Sequence, residues 1–80
     1  MTQTFGEKIV RKSFNPSEKA DVKEAKRLVA ELIDFCEGFV PDFNEDDPIK
    51  CEEARLLGNA VTCFEEGCMW LVKGLTVPKD

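Results

Sequence analysis

The sequence predicts an all-α fold: a two-helix hairpin behind a non-helical N-terminal arm, with copies joining into a homo-oligomer. Three observations predict it. Two stretches repeat apolar residues at three- and four-residue steps, the period of a helix packed along one side. Strong breaks, at Pro16, at Gly38 with Pro41, at Pro48 and at Pro78, fall around those stretches. The second stretch carries apolar residues on two faces, one more than a single partner helix covers.

Residues 1–16 form the arm. They mix apolar and basic residues without a helical period and end in "FNPS", where Pro16 lacks an amide donor and holds its predecessor extended. Helix one is expected over about 17–37, capped by Ser17 or Asp21, and "DVKE" has the spacing of a capping box. Ala25, Val29, Leu32, Ile33, Cys36 and Phe39 make its apolar stripe. Gly38 stands where a left-handed cap is wanted, and Pro41 blocks continuation.

The connector, 38–47, includes the acidic run "NEDD". It reads as a solvated loop, since it lacks the glycine-turned spacing of a calcium loop. Helix two is expected over about 48–76, with Asp47 facing the positive end of the helix dipole and Pro48 losing no useful amide in the first turn. Ala54, Leu57, Val61, Phe64, Cys68, Leu71 and Leu75 form its seam toward helix one. Beside the seam runs a second stripe, Leu56, Ala60, Cys63, Gly67, Trp70 and Gly74.

A mid-helix glycine costs about 1 kcal/mol against alanine, so two of them imply a compensating close approach. Packing between subunits is the preferred reading, with Ala60, Cys63, Gly67, Met69, Trp70 and Gly74 as the oligomer interface. Packing of these glycines against helix one is the alternative.

Eighty residues make one small domain, whose core is marginal unless disulfides, a metal or other subunits support it. There is no histidine, and Cys36, Cys51, Cys63 and Cys68 form no C-x-x-C pair. No metal or other cofactor is therefore expected. The opening "MTQTFGEKIV" lacks the apolar run of an export signal, and no stretch approaches the roughly 20 apolar residues of a membrane span. A soluble, cytoplasmic protein without a membrane partner is expected, its cysteines reduced and most of them acting as small hydrophobes.

The net charge of −5 is unevenly distributed: residues 1–27 carry seven cations and four acids, so +3 stands there against −8 in the remainder. An acidic bulk surface excludes DNA or long RNA, which need a broad cationic face. A small phosphorylated ligand needs only a few cations in one place. No cysteine or serine has an evident paired base, so an enzyme is not expected.

The stretch "AVTCFEEGCMWLVKGLTVP", through Ala60, Thr62, Gly67, Met69, Lys73 and Pro78, resembles the C-terminal helix of the small phage-encoded anti-CBASS and anti-Thoeris cyclic-nucleotide sponges. An arginine often stands at the Lys73 place in that family. "FGEKIVRKSFNPS" followed by "VKEAKRLVAELID" is similar to the start of their shared hairpin domain, so the resemblance covers nearly the whole chain. It implies a non-enzymatic helical hairpin that assembles into a homohexamer. In the cytoplasm of the infected bacterial host, it would sequester cyclic di- and trinucleotides and so block CBASS-type defence. A small helical adaptor or regulatory subunit that binds another protein is the alternative.

A cyclic oligonucleotide offers phosphodiester charges and flat bases, which ask for cations and for stacking planes. Lys26 is the leading phosphate contact, matching a lysine of the family's first helix; otherwise it is a solvated lysine. Arg27 and Arg11 are further cations of the basic end, Arg27 pointing about 100° from Lys26. Phe5 and Phe14 are candidate stacking residues, or else they close over the hairpin. Asn15 and Ser17 either read base edges and phosphates or build the turn before helix one.

Lys73 either answers the helix dipole or, as the resemblance implies, lies in the region that binds the larger cyclic trinucleotides. Thr76 either donates to the same phosphate or simply ends the helix. Trp70 and Met69 read as subunit packing before ligand contact.

Overall fold

The computed structural model describes residues 2–41 and 47–78. Three helices follow in order, α1 (Phe5–Ile9), α2 (Ala20–Glu37) and α3 (Pro48–Leu75), with no strand among the described residues. The expected hairpin is α2 against α3. Residues 44–46 of the acidic run lie outside the described residues.

The arm departs from expectation by holding the five-residue helix α1. Thr4 Oγ1 accepts from the Glu7 amide at 3.1 Å and Glu7 Oε1 accepts from the Thr4 amide at 2.9 Å, a complete capping box. Beyond Ile9 the chain closes a Schellman motif. The Lys12 amide donates to the Glu7 carbonyl, the Arg11 amide to the Lys8 carbonyl, and Arg11 takes a left-handed φ of 53°.

Helix α2 starts at Ala20, with Lys19 as the N-cap residue and no side chain capping it, so neither Ser17 nor the "DVKE" box serves as its cap. Ser17 Oγ instead accepts from the Lys19 amide one residue too early, at 3.2 Å. The helix ends at Glu37 as expected, but Gly38 stays right-handed at φ −63°. Helix α3 begins as expected, Asp47 Oδ1 accepting from the amides of Ile49 at 3.0 Å and Lys50 at 3.2 Å. Lys19 Nζ donates to the Leu75 carbonyl at 2.9 Å, which ties the start of α2 to the end of α3 and makes the pair antiparallel.

The core forms where all three elements meet. Val10, Ala30, Ile33 and Cys68 are buried together, with Ile9, Val29, Val61, Phe64 and Val72 packed around them. On α3 the seam therefore passes through Val72, while Leu71 is 45% exposed. Leu32 on α2 and Phe39 just past its end face outward, and Val22, Ala30 and the aliphatic stem of Lys26 take their places.

The result is one layer of helices, 13 Å in its least extent. Its accessible surface is 6216 Å², against about 4,900 Å² for a compact monomer of its mass. Leu28, Leu32 and Phe35 lie exposed along α2 and Phe39 just beyond its end, as do Leu56, Met69 and Trp70 along α3. A Cβ placed on Gly67 or Gly74 would meet nothing within 4 Å, so neither glycine serves a contact with α2.

Candidate functional site

Between the arm and the C-terminal half of α3 lies an open cleft of about 380 Å³, lined by Ile9, Val10, Arg11, Lys26, Glu65, Cys68, Met69, Val72 and Lys73. Three cations reach it from three elements. Their positions have separate local causes.

Arg11 stands at the left-handed position after α1, the place where a Schellman motif ordinarily takes glycine. Keeping a residue with a Cβ there costs on the order of 1 kcal/mol, and the side chain retained carries a guanidinium to the cleft. The Arg11 carbonyl accepts from the Phe14 amide at 2.9 Å and from Lys26 Nζ at 3.0 Å.

Lys26 is buried, with 7% of its surface exposed. Its ammonium also donates to the Phe14 carbonyl and sits 5.6 Å from the centre of the Phe14 ring. Two of its three donors thus hold the arm, and its charge stays at the cleft wall. Lys73 belongs to the last turn of α3, where the helix dipole favours a cation. Its ammonium lies 5.5 Å from the centre of the Trp70 ring, an amphipathic contact at the edge of the open α3 face.

Deeper in the cleft, burial pushes the Cys68 thiol up, an effect opposed by the Lys26 ammonium. Cys68 is therefore held neutral and packs as an apolar group. Glu65 is the one carboxylate on the lining. On α1, Glu7 is held below the ordinary carboxylate range by hydrogen bonds from Lys12 Nζ, at 2.6 Å, and from the Thr4 amide.

The remaining expected residues lie elsewhere. Arg27 is committed on the exposed side of α2 to Glu24 and Glu31, which push its pKa upward, and it does not line the cleft. Asn15 Nδ2 donates to the Lys19 carbonyl at 3.1 Å and Ser17 Oγ donates to Asn15 Oδ1 at 2.7 Å, so both build the turn into α2. Asn15 also borders a second, shallower hollow with Gln3, Lys12, Ser13 and Lys23. Thr76 Oγ1 donates to the Val72 carbonyl at 2.8 Å and closes α3.

Phe5 and Phe14 are 43% and 63% exposed, Phe14 next to the cleft through Lys26. Cys63, Gly67, Trp70 and Gly74 form an exposed strip, Ala60 is half-buried, and Met69 turns toward the cleft.

Three residues that sequence reasoning passes over tie the elements together: the Gly6 amide donates to Asp34, joining α1 to α2, and Lys19 closes the hairpin. "TFGE" carries the capping-box spacing that announces α1. Among the described residues no group of His, Cys, Asp and Glu side chains is placed to hold a metal ion, and no helix is long and apolar enough to cross a membrane.

A comparison with curated proteins and one with solved structures found no match. Residues 7–76 match the Acb2/Tad1 hairpin domain, from the middle of α1 to the cap of α3. With seventy of its eighty residues inside that match and the expected hairpin in place, the chain belongs to the Acb2/Tad1 hairpin family, the anti-CBASS and anti-Thoeris phage sponges that bind cyclic nucleotides.

Proposed function

We propose that this chain binds cyclic di- and trinucleotides without cleaving them, as a homo-oligomer with the hexamer as its expected size, and that it acts in the cytoplasm of an infected bacterium to starve a CBASS-type effector of its signal. The observation that carries the reading is the convergence of Arg11, Lys26 and Lys73 on one cleft. Set against Glu65, they leave a surplus of two positive charges, matching the two phosphodiesters of a cyclic dinucleotide. Phe14, exposed beside Lys26, offers a plane for a base, a stacking contact worth about 1–3 kcal/mol. Holding such a ring needs cations and planes, and no group that attacks a phosphodiester.

Association is supported by the single-layer shape and by the open stripe of Cys63, Gly67, Trp70 and Gly74, whose glycines leave room for another backbone. Neighbouring copies on that stripe would stand at the edge of the cleft, next to Lys73.

The test is to load the protein with a cyclic dinucleotide, remove excess, denature by heat and analyse what is released. Intact ligand in stoichiometric amount is the expected result. Linear dinucleotide, or no ligand, overturns the proposal.

Arg11→Gly separates function from folding. Glycine relieves the left-handed position, so stability should hold or rise by up to about 1 kcal/mol, read by thermal melting. Affinity for the cyclic dinucleotide should fall about 10- to 100-fold, the loss expected of one charge-assisted contact. Unchanged affinity would remove Arg11 from the site.

A further inference from the structure

A five-residue helix has too few internal hydrogen bonds to offset its own nucleation. Helix α1 exists because its exposed amides are met from outside. Of the first-turn donors that lack an intrahelical acceptor, the Glu7 amide goes to Thr4 Oγ1 and the Gly6 amide to Asp34 Oδ1 at 2.6 Å. Asp34 lies near the end of α2, twenty-eight residues along the chain. One helix thus supplies the cap of another.

Gly6 makes that approach sterically feasible. It is buried, and a Cβ built on it would overlap the Ala30 carbonyl oxygen and stand 2.9 Å from Asp34 Oδ1. The backbones of α1 and α2 are in direct contact there. From Gly6 to Arg11 the chain is tied down: the Val10 amide donates to the Gly6 carbonyl at 3.0 Å, Val10 is buried in the core, and Arg11 follows at once in its left-handed turn.

We infer that Gly6 and Asp34 are positioning residues for the cleft: by seating α1 on α2 they fix where Arg11 presents its guanidinium. The inference deepens the cyclic-nucleotide reading above and rests on it for the ligand. Neither residue lines the cleft, so each acts through the arm.

The experiment combines amide hydrogen exchange with titration of cyclic di-AMP, on the full chain and on Gly6→Ala, Asp34→Ala, Asp34→Asn, Arg11→Gly and the double variant Arg11→Gly with Asp34→Ala. Asp34→Ala and Gly6→Ala should lose protection at residues 5–13 while α2 and α3 keep theirs, and affinity should drop about 10- to 100-fold, as for the loss of Arg11. Asparagine keeps an oxygen acceptor in place and should recover most of both readouts. The double variant should bind no more weakly than Arg11→Gly alone, because both changes remove the same contact.

Unaltered arm protection in Asp34→Ala overturns the inference. So does a loosened arm with wild-type affinity, an outcome that leaves the sponge reading standing. A wild-type protein that binds neither cyclic di-AMP nor the other cyclic di- and trinucleotides titrated beside it defeats both, and is told apart from the other two results by the wild-type titrations alone.

Discussion

Ile33→Ala is expected to lower the unfolding free energy by about 3 kcal/mol, within the range of 2–5 kcal/mol for truncating a buried isoleucine. Ile33 has no exposed surface and touches the core shared by the arm, α2 and α3. A chain of this length has about 4–12 kcal/mol in total, so the variant should melt far earlier or fail to accumulate. Denaturant unfolding checks it through the midpoint at constant slope. A midpoint like the wild type's would mean that Ile33 is not at the centre of the fold.

Lys26→Met is the second large effect, and it reaches function as well as stability. Methionine replaces the aliphatic stem but removes the ammonium that holds the carbonyls of Arg11 and Phe14. Hydrogen bonds from a charged donor are worth about 1.5–3 kcal/mol each. A loss of about 3 kcal/mol is expected, with faster exchange confined at first to the arm. The Phe14 carbonyl loses the ammonium, the Arg11 carbonyl keeps only the Phe14 amide, and one cation leaves the cleft, so cyclic dinucleotide affinity should fall more than for Arg11→Gly. Retained arm protection would show that the carbonyls find other donors.

The hairpin was legible because apolar period and helix signals agree along α2 and α3: Asp47 with Pro48 opens α3, and α2 stops at Glu37 before Gly38 and Pro41. The expected seam of α3 matches the core at Val61, Phe64 and Cys68 and then shifts by one residue, to Val72 in place of Leu71. Strict alternation of three and four assumes 3.5 residues per turn, and a straight helix drifts about 20° per heptad from that pattern. After two heptads the drift is enough to bring Val72 round.

Lys26 is a different case. It lies four residues after Val22 and four before Ala30, squarely on the buried side, but the arm that buries its ammonium is a long-range partner invisible to local pattern. Helix α1 is too short to show a period, and its tie to Asp34 depends on tertiary contact. Arg11 and Lys73 are plain as cations in the sequence, yet only the fold brings them to one cleft with Lys26. Arg27, equally basic in the sequence, is engaged by its own helix through Glu24 and Glu31.

Mass measurement of the intact assembly under native conditions, with and without cyclic dinucleotide, tests the central claim most directly. A multiple of the 9.0 kDa chain, six copies being the expected number, should gain the mass of whole, uncleaved ligand. A 9.0 kDa monomer that gains nothing would contradict the account.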